Sequence, residues 1–151
     1  MPAIKKGEAW SIPPRVKISE ALGCIADGRV KISGNSASVA SSSGERSYSV
    51  KWDGSLAIGS DDNASKWQGY LGYPPIAFLM LKGRLPFDPR LSASLKGIHW
   101  KKLNDQFKRD YAKTEAEAFR TAEEKGAGRK ELETFAEKVL SEIKKAGFVK
   151  L

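Results

Sequence analysis

"RSYSVKWDGSLAIGSDDNASKWQGYLGYPPIAFLM" (residues 46–80) changes its periodicity half-way, and that change sets the fold class. In "RSYSVKW" (46–52), Tyr48, Val50 and Trp52 alternate with Ser47, Ser49 and Lys51, the pattern of a strand with one buried face. "DG" (53–54) is a tight-turn signal, and "SLAIGS" (55–60) reads as a returning strand. "DDNASKWQGYLGY" (61–73) is a polar loop rich in turn residues. Pro74 and Pro75 then open an apolar run that predicts a buried helix from about 74 to 82, stopped by Gly83.

Upstream, "RVKIS" (29–33) and "SASVASS" (36–42) are further strands, set off by "GN" and "GE" turns, which predicts an antiparallel meander of three or four strands. "SIPPRVKISEALGCIADG" (11–28) reads as a first helix with Ser11 as its cap, Ile18, Leu22, Ile25 and Ala26 on its buried face, and Gly28 at its end. Downstream, Asp88 and Pro89 are the N-cap and first residue of a short helix. One long helix is predicted from about Ile98 to Lys125, with Trp100, Leu103, Phe107, Tyr111 and Ala118 on one side. "GAG" (126–128) separates it from a last helix over 129–146, whose Leu132, Phe135, Ala136, Val139, Leu140 and Ile143 form a regular apolar stripe. The expected architecture is α+β: an N-terminal helix, a small antiparallel meander, a loop–helix corner, and a helical C-terminal half ending in a helical hairpin. Residues 1–97 read as an α+β domain, and 98–151 as a helical pair packed on it or extending from it.

The chain of 151 residues can bury a real core. Its longest apolar run, Pro74 to Leu81, is too short to span a bilayer, and "MPAIKKGEAW" (1–10) lacks an apolar signal-peptide core, so a cytoplasmic protein without membrane contact is expected. Cys24 is the only cysteine, which excludes an internal disulfide and a multi-cysteine zinc site; its ordinary role is a small buried apolar residue. The net charge of +8 permits a polyanionic partner. It is spread as +3 over residues 1–60, +2 over 61–97 and +3 over 98–151, so no segment is a basic tail.

Taken whole, residues 46–80 resemble a SWIM domain: "YSV", a turn, "LAIGSDD", a Trp/Gly-containing loop, then "YPPIAFLML". That family is a small zinc-binding module in which a β-hairpin feeds a short loop and a helix. Its ligands follow C-x-C…C-x-H, the second pair opening the helix. The resemblance places the four ligand positions at Ser60, Asp62, Tyr73 and Pro75, none of them Cys or His. A lone carboxylate among Ser, Tyr and Pro does not make a structural zinc site. The resemblance therefore implies a metal-free, cofactor-free corner of about 46–82, fixed by diproline rigidity and by packing of Trp67, Tyr70 and Tyr73. An unrelated hairpin followed by a proline-started helix gives the same pattern. The family's association with nucleic acids and with protein partners is the functional expectation it lends.

Catalytic residue types are sparse. His99 is the only histidine, at a helix start where capping or packing is its ordinary role, and nothing pairs it with Cys24 or a serine. Asp61 and Asp62 read as caps or turn residues. Neither phosphate-binding glycine motif is present. A non-enzymatic protein is expected. In the helix after His99, Lys101, Lys102, Lys108, Arg109, Lys113 and Arg120 fall opposite the apolar side. Lys101 and Lys102 lie near the helix N-terminus, where the dipole disfavours cations, so their placement asks for a reason outside the helix. An outward basic face contacts phosphates, and exposed Trp67, Tyr70 and Tyr73 would stack on unpaired bases. Lys82 and Arg84 could join them. The leading expectation is thus a nucleic-acid-binding or ribonucleoprotein-associated module. The alternative is a protein-interaction adaptor that uses the helical pair at 98–146; exposed apolar area there would favour it.

Overall fold

The computed structural model describes residues 3–151 and is α+β. Helix α1 (Val16–Ala26) precedes strands β1 (Val30–Ser33), β2 (Ser36–Ala40), β3 (Ser47–Trp52) and β4 (Ala57–Ser60). A π-helical turn (Ala64–Gln68) leads into α2 (Tyr73–Leu81), then α3 (Pro89–Ser94), α4 (Trp100–Gln106), α5 (Tyr111–Glu124), α6 (Arg129–Ala146) and β5 (Val149–Lys150).

The four-stranded antiparallel meander is present, with Ala37 opposite Val50 and Lys51 opposite Gly59. Its alternation is as the sequence predicts: Val50 is buried between exposed Ser49 and Lys51. The fifth strand was not expected. β5 pairs parallel to β4, Ala57 with Val149, and the N-terminal segment pairs on its other side through Ala9 and Val149. Two residues of strand carry no readable period, so only this tertiary pairing reveals them.

Helix α1 packs on α2, α3, α5 and α6, and one apolar cluster runs from Trp10 through Leu22, Phe78 and Phe119 to Phe148. Residues before and after position 98 thus share that core. α2 is buried on nearly every side, which its continuous apolar run requires. α1 starts later than predicted: Ser11 is not its cap but donates its N–H to Gly69 O at 2.9 Å, in a bridge beside Tyr70. Asp88 does cap α3, accepting from the N–H groups of Arg90 and Leu91. Among the described residues no helix is long and apolar enough to cross a membrane.

The predicted 98–125 helix is two helices. α4 stops at Gln106; the Arg109 N–H closes back on Asn104 O at 2.8 Å and the Lys108 N–H on Asp105 O at 3.2 Å, a Schellman-type ending. Lys108 (φ 52°) and Arg109 (φ 64°) both take the left-handed conformation that usually calls for glycine. Asp110 then restarts the helix by accepting the Lys113 N–H. An unbroken apolar period hid this joint, because its signal is an aspartate cap without the usual glycine.

Candidate functional site

The corner at 60–73 is tied by a buried carboxylate. Asp62, 4 % exposed, accepts from the Ser60 hydroxyl at 2.5 Å and from the Ser65 N–H at 3.1 Å. Ser65 Oγ in turn accepts the Gly72 N–H at 3.0 Å, so the loop is bonded to the N-cap residue of α2. Gly72 has no side chain because there is no room for one: a Cβ there would lie 2.8 Å from Asp62 Cγ and inside the shell of Oδ2. Asp62 therefore does what a cap does, though buried. Packing by all three aromatics does not hold the corner, since Trp67 is 58 % exposed, with Lys66 Nζ 4.9 Å from its ring centre. Among the described residues no three His, Cys, Asp or Glu side chains are grouped to hold a metal ion.

The same corner forms one wall of a groove of about 640 Å³. Residues 41–48, Lys17 and Glu20 of α1, the π-turn and α4 close around it, and five of the predicted residues line it: Trp67, Tyr70, Tyr73, Lys101 and Arg109. The 67–73 loop and the α4–α5 joint, remote in sequence, thus meet. At the floor, Lys17 and Glu20 form a buried ion pair at 2.9 Å, with Lys17 Nζ 5.0 Å from the Tyr111 ring centre. Burial by itself would lower the Lys17 pKa; the Glu20 carboxylate and the two tyrosines outweigh it and hold the ammonium above its ordinary value. Asn104 Nδ2 lies 3.4 Å from Glu20 Oε1, while its buried Oδ1 has no partner among the described residues. Burial raises the Tyr70 and Tyr73 phenols, against the opposing charge of Lys17 and Arg29 respectively.

Tyr70 is buried and Tyr73 half-buried, so of the three aromatics only Trp67 offers an open face; the other two are held by the core and by Arg29, whose Nη1 lies 3.3 Å from the Tyr73 hydroxyl. The six cations expected on one helix are divided between α4, the joint after it and α5. Lys102 and Lys108 stand exposed and Lys113 sits in the first turn of α5, none of them lining the groove. Arg120 pairs with Glu117 and, at 3.7 Å, with Glu124. Lys82 Nζ donates to Gly34 O at 3.1 Å, and Arg84 lies over Phe148. The break between α4 and α5 ends the single helix on which these cations were aligned by period.

The family described as "Uncharacterised conserved protein UCP014422" matches residues 10–149. The chain belongs to this family. No curated protein and no solved structure matches it. The matched span takes in every residue that lines the groove.

Sequence reasoning missed Lys17, Glu20, Arg46, Tyr48 and Asn104 as groove residues. Lys17 and Glu20 carried a signal, two opposite charges three apart on the helix whose apolar face was already assigned. The groove's charges are balanced, Lys17, Arg46, Lys101 and Arg109 against Glu20, Glu45, Asp62 and Asp105. Most are already engaged: Lys17 with Glu20, Lys101 with Asp105 at 2.9 Å, and Asp62 within its knot. Arg46 and Arg109 make no ion pair among the described residues. His99 Nδ1 accepts the Lys102 N–H at 3.3 Å and so caps α4, beside the Lys101 N–H that donates to Ser42 Oγ at 3.0 Å.

Proposed function

We propose that this protein is a non-enzymatic, cytoplasmic module that binds single-stranded nucleic acid, its corner a metal-free relative of the SWIM module. The observation that carries the reading is Trp67: a large aromatic, 58 % exposed, standing at a groove edged by the unpaired guanidiniums of Arg46 and Arg109. An open indole beside unpaired cations suits a base and its phosphate, and base–aromatic stacking is worth about 1–3 kcal/mol per base. Catalysis finds less support. His99 Nδ1 is occupied as a cap, and burial pushes the Cys24 thiol up to about 11, which keeps it protonated and inert. The adaptor reading gains nothing from the helical pair: the large apolar side chains that stand exposed, Ile12, Ile32, Leu56, Trp67, Leu81 and Leu151, lie outside 98–146.

A titration with single- and double-stranded DNA and RNA, followed by tryptophan fluorescence, tests this. Single strands should quench the emission, and Trp67→Ala should weaken binding by roughly tenfold while the protein stays folded, as expected from losing one stacked base. Absence of binding at low salt would remove the reading.

A further inference from the structure

The balance of charge limits what the groove can grip. A run of phosphates needs a run of free cations, and this groove supplies two, Arg46 and Arg109. Its volume, about 640 Å³, lies within the range of small-ligand pockets, roughly 300–1,000 Å³, rather than that of a long track. Its floor is polar and incompletely satisfied: Asn104 Oδ1 is buried without a partner among the described residues, and its amide nitrogen reaches Glu20 only at 3.4 Å.

The backbone supplies an independent observation. Arg109 (φ 64°) follows Lys108 (φ 52°) in the left-handed region, where a side chain costs free energy that glycine would not. Such strain persists where a side chain is needed, and it gathers at ligand sites. Arg109 lines the groove, while the helix-ending hydrogen bonds of its backbone would serve glycine as well.

We propose that the groove is a pocket for one unstacked nucleotide of a bound strand: Arg46 and Arg109 hold its phosphate and Trp67 covers the base. This rests on the single-strand reading above and specifies how many nucleotides are held. With one phosphate held, log K should fall against log salt with a slope of about −0.7, the single-strand value per neutralised phosphate.

The test compares a short oligothymidylate, an abasic deoxyribose-phosphate strand of the same length, and thymidine 5′-monophosphate as competitor. The oligothymidylate should bind about tenfold or more tighter than the abasic strand, and the monophosphate should displace it. Arg109→Gly should melt at an equal or higher temperature yet bind about tenfold more weakly; Arg46→Ala, in an exposed turn, should weaken binding similarly. Equal affinity for the abasic strand, or full affinity of Arg109→Gly, would overturn the pocket and leave strand binding standing. A slope several-fold steeper would do the same, by placing most contacts elsewhere. No binding of any strand would remove the single-strand reading itself.

Discussion

Replacing Gly72 by alanine tests how the corner is held. The new Cβ would sit 2.8 Å from Asp62 Cγ, and Gly72 has φ −74°, so the penalty is steric contact and not backbone conformation. The carboxylate has to leave its place between the Ser60 hydroxyl and the Ser65 N–H. Hydrogen bonds to a charged group contribute about 1.5–3 kcal/mol each, so losing both costs about 3–6 kcal/mol. For a chain of this size that is a fall in Tm of roughly 6–24 °C, at about 2–4 °C per kcal/mol. Urea unfolding of Gly72→Ala, Asp62→Ala and the double variant separates the contributions. Asp62→Ala removes the same two bonds and clears the space beside Gly72. The double variant should therefore be little worse than Asp62→Ala alone, a coupling of about 3–6 kcal/mol, the whole cost of Gly72→Ala. Additive losses, or a Gly72→Ala variant within about 1 kcal/mol of the parent, would refute the argument. A chelator should leave the parent's Tm unchanged; a large drop would mean a metal holds the corner.

Gly23→Ala should destabilise despite alanine's better helix propensity: the methyl would meet Trp100 Nε1 at 2.8 Å and Leu95 O at 3.0 Å, and overpacking of about 1–3 kcal/mol exceeds the gain of about 1. A rise in the urea midpoint would contradict this. Arg15→Ala strips the buried Glu115 carboxylate of its partner at 2.5 Å and frees Glu133, for a loss of about 2–3 kcal/mol, below the fully buried case because Arg15 is 31 % exposed; thermal unfolding reads it directly. Alkaline pH should weaken the fold. Burial raises the Cys24 thiol from 9.0 to about 11, so the unfolded chain releases that proton first. Its contribution is whole below about pH 9 and is lost towards pH 11, by up to about 2–3 kcal/mol. Cys24→Ala should flatten that part of the stability–pH curve, and an unchanged curve would assign the loss to other groups.

Where periodicity and punctuation agreed, the sequence was enough. The four strands follow from alternation between short turns, and α6 runs from Arg129 to Ala146 as its apolar stripe predicts. Asp88 and Pro89 begin α3 because both act within one turn of chain. What escaped depends on contacts distant in sequence. β5 exists only because β4 and the N-terminal segment receive it, and the α4–α5 break interrupts an apolar period that continues across it. For the site, residue types were legible and their convergence was not. Trp67 and Arg109 line one groove while Lys113 and Arg120 do not. Glu20 and Asn104 look like ordinary helix-surface residues until the two helices meet.

The short β5 has a consequence for the order of events at synthesis. Val149 and Lys150 lie between β4 and the segment around Ala9, with the Trp10 N–H on Phe148 O and the Gly7 N–H on Lys150 O, both near 2.9 Å. The earliest described part of the sheet is thus completed by residues about 140 positions later. At roughly 5–20 residues per second, a ribosome leaves that segment without its neighbour for about 7–28 seconds. α1, the meander and α2 can assemble meanwhile through their own contacts. The strip that carries Trp10 can take its bonds to Ile58 O and Gly69 O early, but its bonds to Phe148 O and Lys150 O wait until residues 148–150 have cleared the exit tunnel and closed the seam.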